Sequence, residues 1–265
     1  MLHSPPHSTP RWVPRSVLRS WASRSGARLG PAALVVGAVA AVLALVVAPQ
    51  AAIQGEPQRL MYVHVPAAWT AFAAFGCVAL CSIAVLLRRP GPYDAVARAA
   101  AELGVAMTAL AIAEGSVWGH SAWGVWWAWD PRLVSTALLL VSYVAYLALR
   151  SLPGEQQRVA RRAAVAGLVF AVEVPVAHFS VLWWRTLHQP PTVLRPSLSP
   201  PIAHLMLLAL LVSVLAFTLA GAWYVRRRVR QLAAPPVVPV SGEPAADQLA
   251  DPAQLPATAH EEARA

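Results

Sequence analysis

The sequence predicts an all-α integral membrane protein: six transmembrane helices, both termini cytoplasmic, and a short interfacial helix on the outer face. Three observations predict it. The 265 residues are 57% hydrophobic and 12% charged, which excludes an ordinary soluble globular chain. Several apolar runs approach or exceed the ~18 residues a helix needs to cross a bilayer. The basic residues, finally, are distributed connection by connection.

The first run, "AALVVGAVAAVLALVVA", covers 32–48. Its Gly37 is tolerable, because a helix in lipid keeps its own hydrogen bonds. Further spans are expected at about 66–87, 97–117, 133–149, 163–182 and 202–225. All 21 basic residues are arginine. Arg11, Arg15, Arg19, Arg24 and Arg28 precede the first span. Arg88, Arg89 and Arg98 lie between the second and third, and Arg150, Arg158, Arg161 and Arg162 between the fourth and fifth. Arg226, Arg227, Arg228 and Arg230 follow the sixth. The alternate connections hold only Arg59, Arg132, Arg185 and Arg195. Sixteen against four is the positive-inside pattern, so the net charge of +9 reports topology and not nucleic acid.

This divides the chain into a basic cytoplasmic segment at 1–30, a six-helix membrane domain at 31–230 and a cytoplasmic tail at 231–265. The Pro/Ala-rich tail reads as disordered. An arginine-rich start before an apolar run also resembles a targeting segment, but the run is long for a signal peptide and shows no clear cleavage site. Cys77 and Cys81 form neither a CxxC nor a zinc spacing and read as small core residues.

The unusual chemistry lies in the three outward connections. Five of the 11 tryptophans fall between Trp118 and Trp129, in "VWGHSAWGVWWAWD". At helical spacing Trp123, Trp126, Trp127 and Asp130 share a face, while Trp129 points elsewhere; a short helix in the membrane interface fits that pattern. An aromatic belt needs only one or two Trp per helix end, and five exceed it. A flat aromatic surface suits a large, flat, apolar ligand. "DPRLVS" reads as a helix entry, with Asp130 as N-cap and Pro131 at the first helical position, a role compatible with holding the loop in place.

His64 precedes Pro66 at the outer start of the second span, and His188 precedes Pro190 after the fifth. Two outer imidazoles on connections flanking the tryptophan loop can ligate one iron axially. His120 and His204 are rivals that spacing does not exclude, and His178, inside the fifth span, reads as a packing residue. Glu114 and Glu173 lie at membrane depth, where acids count as functional by default. Glu114 has Arg132 or Arg185 as expected partners. Glu173 has backbone donors near Pro175.

"WGVWWAWDPRLVS" resembles the tryptophan-rich WWD signature of haem-handling proteins, and "MYVHVPAAW" and "SVLWWRTLHQ" resemble its flanking histidine motifs. With six spans and this length, the chain resembles the haem exporter protein C family of system I cytochrome c maturation over roughly 50–225. The resemblance implies a protein of the bacterial inner membrane that holds b-type, non-covalent haem at the outer face. It implies delivery to a membrane-anchored haem chaperone, which attaches the haem covalently. It also implies work with an ABC-type ATPase, its membrane subunits and a small single-span accessory subunit. Carried over by position, His64 and His188 are the axial ligands to haem iron, and Trp118, Trp123, Trp126, Trp127, Trp129 and Asp130 form the platform for haem and chaperone. Arg59, Arg132, Arg185 and Arg195, the basic residues outside, are candidate partners of the haem propionates.

The expected function is therefore haem binding and transfer without a catalytic residue. A b-type cytochrome subunit for electron transfer is the alternative, but such subunits place histidines within helices at membrane depth. A secondary transporter favours broken helices with midplane polar residues, which only Glu173–Pro175 resembles.

Overall fold

The computed structural model describes residues 28–89, 92–190 and 202–233. The basic N-terminal stretch to residue 27, Arg195 and the tail from residue 234 lie outside the described residues. Among those described, every regular element is helical, and six helices are long and apolar enough to cross a membrane.

The first span is α1 (Leu29–Val42), prolonged by a π-helical turn, Leu43–Val47. Arg59 terminates it from outside, donating to the carbonyls of Ala44 and Ala48 while pairing with Glu56 at 2.6 Å. Carbonyls at a helix end have no intrahelical partner, and a guanidinium satisfies two of them at once.

A 3₁₀ turn, Glu56–Leu60, leads into α2 (Met61–Leu86). The sequence places this entry at Pro66, as proline favours a first turn. The helix instead begins five residues earlier, with Pro66 buried inside it. That puts His64 on a helix and not on a loop, correcting the sequence expectation. The proline ring leaves the Tyr62 carbonyl without its usual donor and is tolerated so near the helix start.

Helix α3 (Tyr93–Trp123) has 31 residues and rises about 46 Å, well beyond the ~30 Å hydrocarbon core. Its first turns carry Asp94, Arg98 and Glu102, and its last carry Trp118 and Trp123. Gly124 ends it in the left-handed conformation, φ 77°, with its N–H bonded to the His120 carbonyl. The expected short interfacial helix is absent: residues 124–130 have no regular structure. A left-handed glycine closes one side of the segment, and Asp130, extended before Pro131, closes the other.

Helix α4 (Pro131–Ser151) follows with Asp130 as its N-cap, as the sequence indicates. The fifth span is two pieces, α5 (Gln156–Ala171) and α6 (Glu173–Trp183). Pro175 cannot donate to the Ala171 carbonyl, and the chain turns at Val172 with an i→i−3 bond to Val169. The sixth span is α7 (His204–Ala233).

Aromatic stacking organises the core. The Phe75 and Tyr143 rings stack at 3.7 Å, with Tyr146 and Phe170 against Tyr143. Gly104 lets α3 approach: a Cβ there would lie 2.3 Å from the Phe75 ring. At the end away from the tryptophans, ion pairs fasten the bundle. Arg150 of α4 pairs with Asp94 of α3 at 2.7 Å, and Arg228 of α7 with Glu102 of α3 at 2.6 Å.

Candidate functional site

At the tryptophan end the helices enclose a cavity of about 630 Å³, within the usual range for small-molecule sites. Helix α2 contributes His64, Trp69 and Phe72, and α3 contributes Gly115, Trp118 and Trp123. Trp127 enters from the connection, Arg132 and Thr136 from α4, His178 from α6, and His188 with Gln189 from the loop after it.

His64 and His188 both line this space, ring centroids 6.3 Å apart and planes inclined by 36°. The Trp118 ring stands edge-on to His64 at 5.8 Å. His188 Nδ1 lies 2.8 Å from the Gln189 carbonyl, its natural acceptor, which leaves Nε2 with the free lone pair a metal requires. Burial, followed by the charge of Arg132, holds the His188 imidazole below its ordinary range and keeps it neutral.

The loop bearing His188 is tied to the tryptophan segment through Asp130. One carboxylate oxygen accepts from the Leu133 N–H at 2.9 Å and caps α4. The other accepts from the Thr186 hydroxyl at 2.7 Å and the Leu187 N–H at 3.1 Å. Thr186 in turn accepts the His188 N–H at 3.1 Å. Burial opposes ionisation of Asp130, but these bonds outweigh it and hold the carboxyl below the usual carboxylate range.

The six platform residues separate. Trp118, Trp123 and Trp127 line the cavity. Trp126 is 60% exposed and stacks on His120 at 4.2 Å, and Trp129 is 86% exposed and meets Trp127 edge-on. The helical-face grouping of Trp123, Trp126, Trp127 and Asp130 does not hold, because an irregular segment has no 3.6-residue period.

The basic residues separate too. Arg132 lines the cavity, donates to the Ala177 and His178 carbonyls and lies over the Phe72 ring. Arg185 is exposed on the loop. The guanidinium of Arg59 is engaged at the end of the first span, away from the cavity lining.

Glu114 pairs with neither Arg132 nor Arg185: its Oε2 lies 3.7 Å from His64 Nδ1. Glu173 accepts the Ser142 hydroxyl at 2.8 Å. His204 is exposed at the start of α7. His178, read from sequence as packing, does contact Phe72 and Phe179 edge-on but also lines the cavity. Sequence reasoning missed Thr186 and Gln189, whose roles depend on a loop folding back. Their only signal is proximity to His188.

A family model described as heme exporter protein C matches residues 11–235. The chain is similar to heme exporter protein C of Bradyrhizobium diazoefficiens, 40% identical over 188 residues covering 68% of this chain and 71% of the relative. It is similar to the protein of that name from Haemophilus influenzae, 33% identical over 197 residues covering 74% and 80%. Against that of Escherichia coli K12 the identity is 34% over 179 residues, covering 68% and 71%.

Proposed function

The chain belongs to the heme exporter protein C family, and on that premise we propose that it holds haem between His64 and His188 and passes it to a membrane-anchored haem chaperone for cytochrome c maturation. The two imidazoles brought together at the cavity carry this reading. A metal bound on both sides by imidazole nitrogens at about 2 Å separates the ring centroids by roughly 6 Å. The observed 6.3 Å is of that size, which supports the reading.

The residues divide the work. Haem brings a flat apolar macrocycle, an iron with two axial positions and two propionates. His64 and His188 are the proposed axial ligands, and Trp118, Trp123 and Trp127 the apolar walls. Trp126, Trp129 and the exposed Trp183 and Trp184 form the face offered to the chaperone. Arg132, at the cavity wall, is the proposed partner of the propionates, with Arg185 and Arg195 the further candidates; Arg59 is withdrawn from that role because its donors cap the first span. His64 sits on a helix and His188 on a loop, so release proceeds through His188 while His64 stays fixed.

In this reading haem is b-type, non-covalent cargo, and the chain is a transfer protein, not an enzyme. It acts at the outer face of the bacterial inner membrane, in a complex with an ABC-type ATPase, its membrane subunits and a small single-span subunit. The test is the absorption spectrum of the full chain purified with haem supplied, for wild type, His64→Ala and His188→Ala. A six-coordinate Soret band weakened or shifted in both variants supports the site. An unchanged spectrum with stoichiometric haem in both overturns it and directs attention to His178 and His120.

A further inference from the structure

Beyond the two imidazoles, α3 brings a third group to the site. Both carboxyl oxygens of Glu114 are buried without a hydrogen-bond partner, and so is His64 Nδ1. These unmatched groups face each other at 3.7 Å. An orphaned buried polar atom costs about 1–3 kcal/mol, so each gains when they pair. The separation exceeds a hydrogen bond by less than about 1 Å, within reach of a side-chain adjustment. The next residue makes room for the approach: a Cβ at Gly115 would lie 2.7 Å from His64 Cε1. The Ala111 carbonyl, one turn earlier on α3, is the competing acceptor beside the same ring.

We infer that Glu114 is a positioning residue that accepts the Nδ1–H of His64 while His64 Nε2 ligates the iron, and so sets the reduction potential of the held haem. The inference rests on the proposed ligation by His64. A ligating imidazole commonly gives its other N–H to a carboxylate, which fixes the ring and raises its basicity. A more basic axial ligand, with a carboxylate behind it, favours ferric over ferrous iron. The haem is then kept in the oxidised state while it is held. The amide of glutamine is a weaker acceptor, so removing the carboxylate shifts the balance towards ferrous.

The experiment is a spectroelectrochemical titration of the haem-loaded full chain for wild type, Glu114→Gln and Glu114→Asp, with His64→Ala carried in parallel. Expected is a tenfold shift towards ferrous haem in Glu114→Gln, equivalent to about 59 mV upward for a one-electron couple. Haem content falls in Glu114→Gln, because the outer partner of a ligand contributes to affinity, and the potential is read on the six-coordinate fraction that remains. Glu114→Asp keeps the charge and remains closer to wild type than Glu114→Gln. A purely structural role for Glu114 leaves the potential unmoved. Equal potentials in all three proteins, with His64→Ala still losing its six-coordinate band, overturn the inference and leave the Ala111 carbonyl as the acceptor. An unchanged spectrum in His64→Ala overturns the ligand assignment itself, and this inference with it.

Discussion

Asp130 and Thr186, 56 residues apart in sequence, share a 2.7 Å hydrogen bond that joins the start of α4 to the loop carrying His188. The same carboxylate caps α4 through Leu133 and holds the loop a second time through Leu187. One acidic side chain therefore serves both connections of the site.

Replacing Asp130 by alanine removes the cap, costing about 1 kcal/mol, and frees the loop as well. The expected result is a several-fold loss of haem retained through purification. Thr186→Val removes one loop bond only and loses less. The haem-to-protein ratio decides, and two variants as loaded as wild type sink the tie.

Acid should act through His188. Its imidazole is held below the ordinary value of about 6.5 by burial and by Arg132, so a released ring takes up a proton before a docked one. The docked loop is then fully favoured above about 6.5 and loses ground as pH falls below that value. A pH titration of the bound-haem spectrum is expected to show the His188 contribution intact at neutral pH, with a midpoint below about 6.5. A midpoint above that value contradicts the neutral, buried assignment.

Gly115→Ala tests the seat of His64. The added methyl would lie 2.7 Å from the ring and displace it. Haem binding should fall while thermal stability changes little, because the obstruction is at the cavity wall. Gly104→Ala would meet the Phe75 ring within the core, so there the loss should be of stability. Paired melting curves and haem ratios separate the two.

The tryptophans should divide by function as they do by position. Trp118→Ala and Trp127→Ala, at the cavity, are expected to lower haem retention by the chain alone. Trp126→Ala and Trp129→Ala, with exposed rings, should leave retention unchanged and slow transfer to a chaperone added in trans. Equal effects of all four on retention would remove the division.

Most of the fold was legible because crossing a membrane demands long apolar runs, and six such helices are present. The two histidine motifs and the tryptophan run marked the end where the cavity lies. What the sequence hid was set by tertiary contacts. Pro66, read as the helix entry, concealed the five helical residues of α2 before it, and with them the mounting of His64. Dense tryptophans mimicked a helical face that Gly124 and Pro131 prevent. The inward turn of Glu114 and the return of Thr186 to Asp130 depend on neighbours distant in the chain, which no local pattern reports.

The length of α3 ties the site to its host membrane. The rise from Glu102, in its ion pair with Arg228, to Trp118, beside His64, is about 24 Å along one uninterrupted helix. A rigid rod between an ionic ring and an aromatic one acts as a gauge of bilayer thickness. In lipids with longer acyl chains the bilayer must thin locally or one marker must submerge, and in thinner ones the helix must tilt or expose apolar surface. Acyl-chain length is accordingly a variable that bears on how deep the cavity mouth sits.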